Sequence, residues 1–79
     1  MDFPQFRKYK NGQSYFEILS ENEFLEYKIQ INKVEKELFT ARILPDRNMI
    51  NDMLYNYEDH WDEVEKEDLE YFLEKNTSE

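Results

Sequence analysis

The sequence predicts a small α+β domain, in which an antiparallel sheet of three to four strands is covered by one or two C-terminal helices. Its 79 residues are the size of one domain. Hydrophobic residues alternate with polar ones in the first half of the chain and recur at helical spacing in the second half. We therefore expect residues 1–79 to form a single domain, with a β-rich part at 5–44, an acidic helical part at 46–75 and a frayed tail at 76–79.

The strongest local signal is a β-hairpin near the N-terminus. Asn11-Gly12 lies between two strand-like runs, and both residue types tolerate positive φ, so the pair predicts a two-residue type I′ turn. Such a turn sets Arg7 opposite Phe16. The core face of the hairpin then carries Tyr9, Phe16 and Ile18.

Two more strands are expected before the first helix. Residues 20–23 match the Ser-x-x-Glu capping box and predict a short helical turn. Alternating residues at 27–31 predict a strand, 33–36 a polar turn and 38–44 another strand. Pro45 ends that strand, because proline has no N–H to donate to a sheet.

The second half of the chain predicts two helical segments. An apolar stripe at i, i+1, i+4, i+5 and i+8 from Met49 to Tyr57 predicts a helix that begins after Asp46. Residues 57–64 are expected to be irregular or to form a broken helical turn, and a last helix is expected at 66–75. The side chains expected to be most buried are Phe16, Ile18, Ile29, Phe39, Ile43, Ile50, Leu54, Leu69 and Phe72.

The net charge of −9 resides entirely in the C-terminal part of the chain. Residues 1–45 hold seven basic and seven acidic residues, whereas residues 46–79 hold three basic and twelve acidic ones. This asymmetry disfavours binding of nucleic acid or an anionic membrane through the C-terminal half. It favours a basic protein as a partner, although an acidic face that only aids solubility would carry the same pattern.

Composition excludes several other classes of protein. With no cysteine, the chain has neither a disulfide framework nor a cysteine-based zinc site. No apolar run approaches the roughly 18 residues of a membrane span, and the start of the chain lacks the pattern of a secretory signal. We expect a cytoplasmic protein with no membrane partner. An exposed edge strand would leave both a monomer and a homodimer open.

Two segments carry a resemblance to a known family. The runs FRKYKNGQSYF at 6–16 and ILPDRN at 43–48 resemble a family of short uncharacterised bacterial proteins. The resemblance spans most of the chain. It implies no fold, activity or site residue, so no function is carried over from it.

The sequence predicts no enzyme, cofactor or metal site. His60, the single histidine, lies among Glu58, Asp59, Asp62 and Glu63, a set that can hold a transition metal. No second histidine is available, so a surface histidine beside a buried Trp61 is the favoured interpretation. No serine lies in a Gly-x-Ser-x-Gly setting, and one glycine cannot form a phosphate-binding loop.

The sequence therefore leaves the function unknown and supports two binding hypotheses. The first is a non-catalytic interaction or regulatory module whose acidic helical face docks a basic partner. Its candidate residues are Glu58, Asp59, Asp62, Glu63 and Glu67. The alternative is single-stranded nucleic-acid binding by the basic and aromatic N-terminal hairpin. Its candidate residues are Arg7, Lys8, Tyr9, Lys10 and Tyr15.

Overall fold

The structure, a computed structural model, describes residues 2–30 and 33–76 of the chain. In chain order its elements are β1 (Gln5–Tyr9), β2 (Ser14–Ile18), β3 (Glu23–Gln30), β4 (Lys33–Thr40), α1 (Leu44–Tyr55), a 3₁₀ helix (Tyr57–Asp59), β5 (Trp61–Glu63) and α2 (Lys66–Asn76). The five strands form one antiparallel sheet in the order β4-β3-β2-β1-β5.

The predicted α+β class is confirmed, but the predicted strand number and helix placement are wrong. The sheet has five strands, not three to four, and the helices are not only C-terminal, because β5 follows α1. The segment 57–64, predicted to be irregular or a broken helical turn, begins with the short 3₁₀ helix but also contains β5, which pairs antiparallel with β1. A three-residue strand has no detectable period, so only its distant pairing with β1 reveals it.

The first hairpin has the predicted register and a different turn. Arg7 lies opposite Phe16 as predicted. The N–H of Gly12 donates to the carbonyl of Tyr9 at 2.9 Å, so the turn is centred one residue earlier than a type I′ turn on Asn11-Gly12. Gly12 has a φ of 75°, a left-handed conformation that glycine adopts without strain. The side chain of Asn11 accepts the N–H two residues ahead of it at 2.9 Å, which stabilises the turn.

The capping-box pattern at residues 20–23 is a hairpin turn rather than a helical one. The N–H groups of Leu19 and Ser20 donate to the carbonyl of Glu23 at 2.9 and 3.2 Å. The Ser20 hydroxyl accepts the N–H of Asn22 at 3.1 Å. Serine makes this local bond in turns as well as at helix starts, so the pattern alone does not separate the two.

The last hairpin is displaced from its predicted position. Residues 33–36, expected to be a turn, form the first half of β4, and the strand expected at 38–44 ends at Thr40. The connection at residues 31–32 lies outside the described residues, as do Ile31 of the predicted third strand and residues 77–79 of the predicted tail. Asn76, expected to begin that tail, ends α2.

The two helices cover opposite faces of the sheet. The core between α1 and its face contains Phe16, Ile18, Phe24, Ala41, Ile50, Met53, Leu54 and Trp61. A smaller core beneath α2 contains Tyr27, Leu69 and Phe72. The Tyr15 ring stacks on Phe72 with ring centroids 4.1 Å apart, which anchors α2 to the second face. In the described part of the chain, no helix is both long and apolar enough to cross a membrane.

Six of the nine residues expected to be most buried are buried: Phe16, Ile18, Ile50, Leu54, Leu69 and Phe72. Phe39 is half-buried, whereas Ile29 is 37% exposed, so the prediction for Ile29 is wrong; it lies beyond the part of β3 that pairs with β2. Ile43 is 60% exposed, which makes that prediction wrong. The chain leaves the sheet after Thr40, so Ile43 becomes the residue that precedes α1 instead of the last core residue of a strand. α1 begins at Leu44, so Asp46 lies within its first turn and does not precede the helix as predicted; Pro45 fits this turn, where no intrahelical N–H bond is needed.

Candidate functional site

The five predicted acidic residues lie on the outer edge strand β5 or within four residues of it in the chain. Glu58 and Asp59 lie in the 3₁₀ helix before it, and Glu67 lies in the first turn of α2 after it. Asp62 and Glu63 are consecutive strand residues, so their side chains point to opposite faces of the sheet. The acidic surface is therefore not the helical face that the sequence predicted, because residues 61–63 pair with β1.

Most of the charge on this surface is unneutralised. Asp62 forms an ion pair with Lys10, with 2.9 Å between Nζ and Oδ1. Glu63 accepts a hydrogen bond from the Tyr57 hydroxyl at 3.3 Å. Glu58, Asp59 and Glu67 are exposed. Within residues 2–30 and 33–76, no cation lies in ion-pair distance of any of these three carboxylates. We call Glu58, Asp59, Asp62, Glu63 and Glu67 together the β5 acidic surface.

The edge of β5 also leaves backbone groups free. The N–H of Lys10 donates to the carbonyl of His60, and the N–H of Val64 donates to the carbonyl of Phe6, each at 3.2 Å. In an antiparallel pair, alternate residues point their N–H and C=O groups toward the neighbouring strand. Trp61 and Glu63 therefore direct theirs away from β1, toward the free side of the sheet.

A cleft of about 550 Å³ opens beside this surface, between the tip of the first hairpin and the start of β5. Its lining residues are Tyr9, Lys10, Asn11, Asp59, His60 and Trp61. The volume falls within the range of roughly 300–1,000 Å³ that is typical of small-molecule sites, and the cleft is widely open to solvent. We call this feature the hairpin cleft. Its two sides lie about fifty residues apart in the chain, so no local pattern in the sequence could have indicated it.

Aromatic rings form one wall of the hairpin cleft. The Tyr9 and Trp61 rings stack with centroids 5.8 Å apart and planes 17° apart, and Tyr9 meets Phe16 edge-on at 5.0 Å. Burial, together with the negative charge of Glu26, raises the pKa of the Tyr9 hydroxyl. Trp61 is 7% exposed, and its indole N–H is buried with no hydrogen-bond partner among the described residues. A buried donor without a partner costs roughly 1–3 kcal/mol.

Arg7, predicted as part of a nucleic-acid face, is instead a core residue with 3% exposure. Its Nε donates to the carbonyl of Met53 at 2.7 Å and its Nη1 to the carbonyl of Phe6 at 2.8 Å. The guanidinium carbon lies 4.4 Å from the centre of the Tyr57 ring. Met53 is in the last turn of α1, which has no basic residue of its own, so Arg7 caps the negative end of that helix from the sheet.

The residues of the predicted nucleic-acid face do not share one surface. Arg7 and Tyr9 belong to the α1 face, whereas Lys8 and Tyr15 belong to the α2 face, because neighbouring strand residues alternate in direction. Tyr15 packs against Phe72, and Lys10 is paired with Asp62. The hairpin therefore presents no row of exposed aromatic rings on which bases could stack.

His60 is exposed and lines the hairpin cleft, beside the buried Trp61 that the sequence predicted. Its ring meets that of Trp61 edge-on, with centroids 5.8 Å apart. Across the described ranges, no three histidine, aspartate or glutamate side chains come together in a group that could hold a metal ion.

No family model, curated protein or solved structure matches this chain. The resemblance to short uncharacterised bacterial proteins stays a prediction. The function must therefore be argued from the β5 acidic surface and the hairpin cleft themselves.

Proposed function

We propose that this protein is a non-catalytic interaction module that docks a basic protein partner on the β5 acidic surface. One observation carries the proposal: three exposed carboxylates around β5, those of Glu58, Asp59 and Glu67, have no cation within ion-pair distance in the described part of the chain. Unneutralised charge of one sign attracts a partner of the opposite sign and speeds their encounter.

The position of the charge at a sheet edge supports a docking role. The outward backbone groups of Trp61 and Glu63 can receive an extended segment by strand addition, a common mode of peptide recognition. The carboxylates on either side would then select basic side chains in that segment. Backbone bonds would supply affinity, and the charges would supply specificity.

The test is a titration of a fluorescently labelled lysine oligopeptide, followed by anisotropy. Binding should weaken steeply between about 10 mM and about 150 mM salt, because the screening length falls from about 30 Å to about 8 Å. The double variant Glu58→Gln, Glu67→Gln should weaken binding at least about fivefold, the effect of losing roughly 1 kcal/mol.

The matched control is the double variant Glu21→Gln, Glu37→Gln. Both residues are exposed; Glu21 lies in the turn before β3, and Glu37 lies on β4. Their substitution removes the same net charge as the first double variant, but from other parts of the surface. Equal weakening by both double variants would reduce the interaction to net charge and refute docking at β5. A single-stranded oligonucleotide in place of the peptide tests the alternative function, for which no binding at low salt is expected.

A further inference from the structure

We infer that the hairpin cleft is the specificity pocket for one arginine side chain of the basic partner. This inference rests on the proposed function, because the cleft borders the β5 acidic surface and contains one of its carboxylates, Asp59. It names the chemical group that the partner must present, a planar guanidinium, whereas the acidic surface by itself requires only positive charge.

Asp59 is the group in the cleft that can bind a cation. Lys10 also lines the cleft, but its ammonium is already paired with Asp62 at 2.9 Å. Asp59 has neither a hydrogen bond nor an ion pair from its side chain to any other residue of the described chain, so both of its oxygens are available. A carboxylate with two free oxygens accepts a guanidinium through two parallel hydrogen bonds.

The aromatic wall distinguishes arginine from lysine. The stacked rings of Tyr9 and Trp61 line the cleft; Trp61 is buried, whereas half-buried Tyr9 keeps part of its side chain exposed. A guanidinium is planar, weakly hydrated and able to stack on aromatic rings, whereas an ammonium is compact and strongly hydrated. The pocket therefore combines a carboxylate with an aromatic surface, the two groups that arginine engages together.

Trp61 gives the cleft a fluorescent reporter. Its ring is 7% exposed and lines the cleft beside Tyr9. Trp61 is the single tryptophan of the chain, so its fluorescence reports on this wall alone.

The experiment compares arginine and lysine oligopeptides of equal length, each titrated by anisotropy and by Trp61 emission. We expect the arginine peptide to bind at least about fivefold more tightly and to change Trp61 emission with the same midpoint as the anisotropy. Asp59→Asn should weaken arginine-peptide binding about fivefold to tenfold, because it removes a charge-assisted pair of hydrogen bonds. Glu58→Gln, its matched control, removes the same charge from the β5 acidic surface one residue outside the cleft and should weaken binding only about twofold, the share of one carboxylate in the roughly fivefold loss expected for the double variant.

The outcomes separate this inference from the proposed function. If both peptides bind in a salt-dependent way, but with equal affinity, unchanged Trp61 emission and equal effects of the two variants, the arginine pocket is refuted and docking at β5 stands. If neither peptide binds at low salt, the proposed function fails and the pocket fails with it. Thermal unfolding of both variants checks that neither substitution disturbs the fold, since both side chains are exposed.

Discussion

Replacing the buried Arg7 by methionine should destabilise the protein, because it removes the cap on the C-terminal end of α1. Methionine keeps an unbranched side chain in the core but cannot donate to the carbonyl of Met53, which Arg7 reaches at 2.7 Å. The Phe6 carbonyl also accepts the N–H of Val64, so it keeps a partner. One buried carbonyl is then orphaned, at a cost of about 1–3 kcal/mol.

The contact between the guanidinium and the Tyr57 ring contributes a further 0.5–2 kcal/mol or so. Methionine also relieves the cost of burying a cation, which offsets part of this loss. We therefore expect Arg7→Met to lower the free energy of unfolding by about 2 kcal/mol, which is near the low end of the combined cost of the orphaned carbonyl and the lost contact with the Tyr57 ring. The thermal midpoint of a domain this size should fall by roughly 8–16 °C.

The assay is urea unfolding followed by Trp61 fluorescence, with a thermal melt as a second measurement. Lys8→Met is the matched control, since it makes the same change of charge at the next residue, on the opposite face of the sheet. It should change stability by no more than about 0.5 kcal/mol. If Arg7→Met unfolds at the same urea concentration as the wild type, or at a higher one, the capping argument is wrong.

Two other predictions concern pH and the core. Burial, with the hydrogen bond to Glu17 and the charge of Glu17, raises the pKa of Tyr27 to about 12. Because its folded pKa lies above the ordinary value of about 10, the stability from neutral Tyr27 is complete below pH ~10 and disappears as the pH rises to ~12. Urea unfolding across that range should therefore show a smaller loss for Tyr27→Phe than for the wild type; equal losses would contradict the raised pKa. Met53→Ala should lower the free energy of unfolding by about 2–5 kcal/mol, because Met53 is fully buried. Ile43→Ala should lower it by less than about 1 kcal/mol, because Ile43 is 60% exposed. A larger loss for Ile43→Ala than for Met53→Ala in urea unfolding would show that the core is misassigned.

The parts of the fold that depend on neighbouring residues could be predicted. The register of the first hairpin follows from Asn11-Gly12 and the alternation on either side of it, although the turn itself is centred one residue earlier. The bounds of α2 follow from three inward side chains at helical spacing. The turn of the second hairpin has the sequence pattern of a helix start, because serine makes similar local hydrogen bonds in both, so the predicted helical turn at residues 20–23 is wrong.

The candidate site could be predicted only as a set of charges. The acidic residues and their segregation in the C-terminal part are visible in the sequence, but their arrangement around a sheet edge is not. The burial of Arg7 was also hidden, because arginine usually stays at the surface unless its donors find partners inside. Its partner is the end of a helix 46 residues away in the chain.

The sequence by itself determined the α+β class, the first hairpin register, the last helix and the location of the net charge. These depend on periodicity and turn chemistry within a few residues. Only the tertiary structure decided that β5 joins the sheet beside β1, that the helices cover opposite faces, and that Tyr9 and Trp61 meet in one cleft. Each of these features depends on contacts between segments that are distant in the chain. Such contacts form because they bury apolar surface when the whole chain folds, and no local preference of the residues determines them.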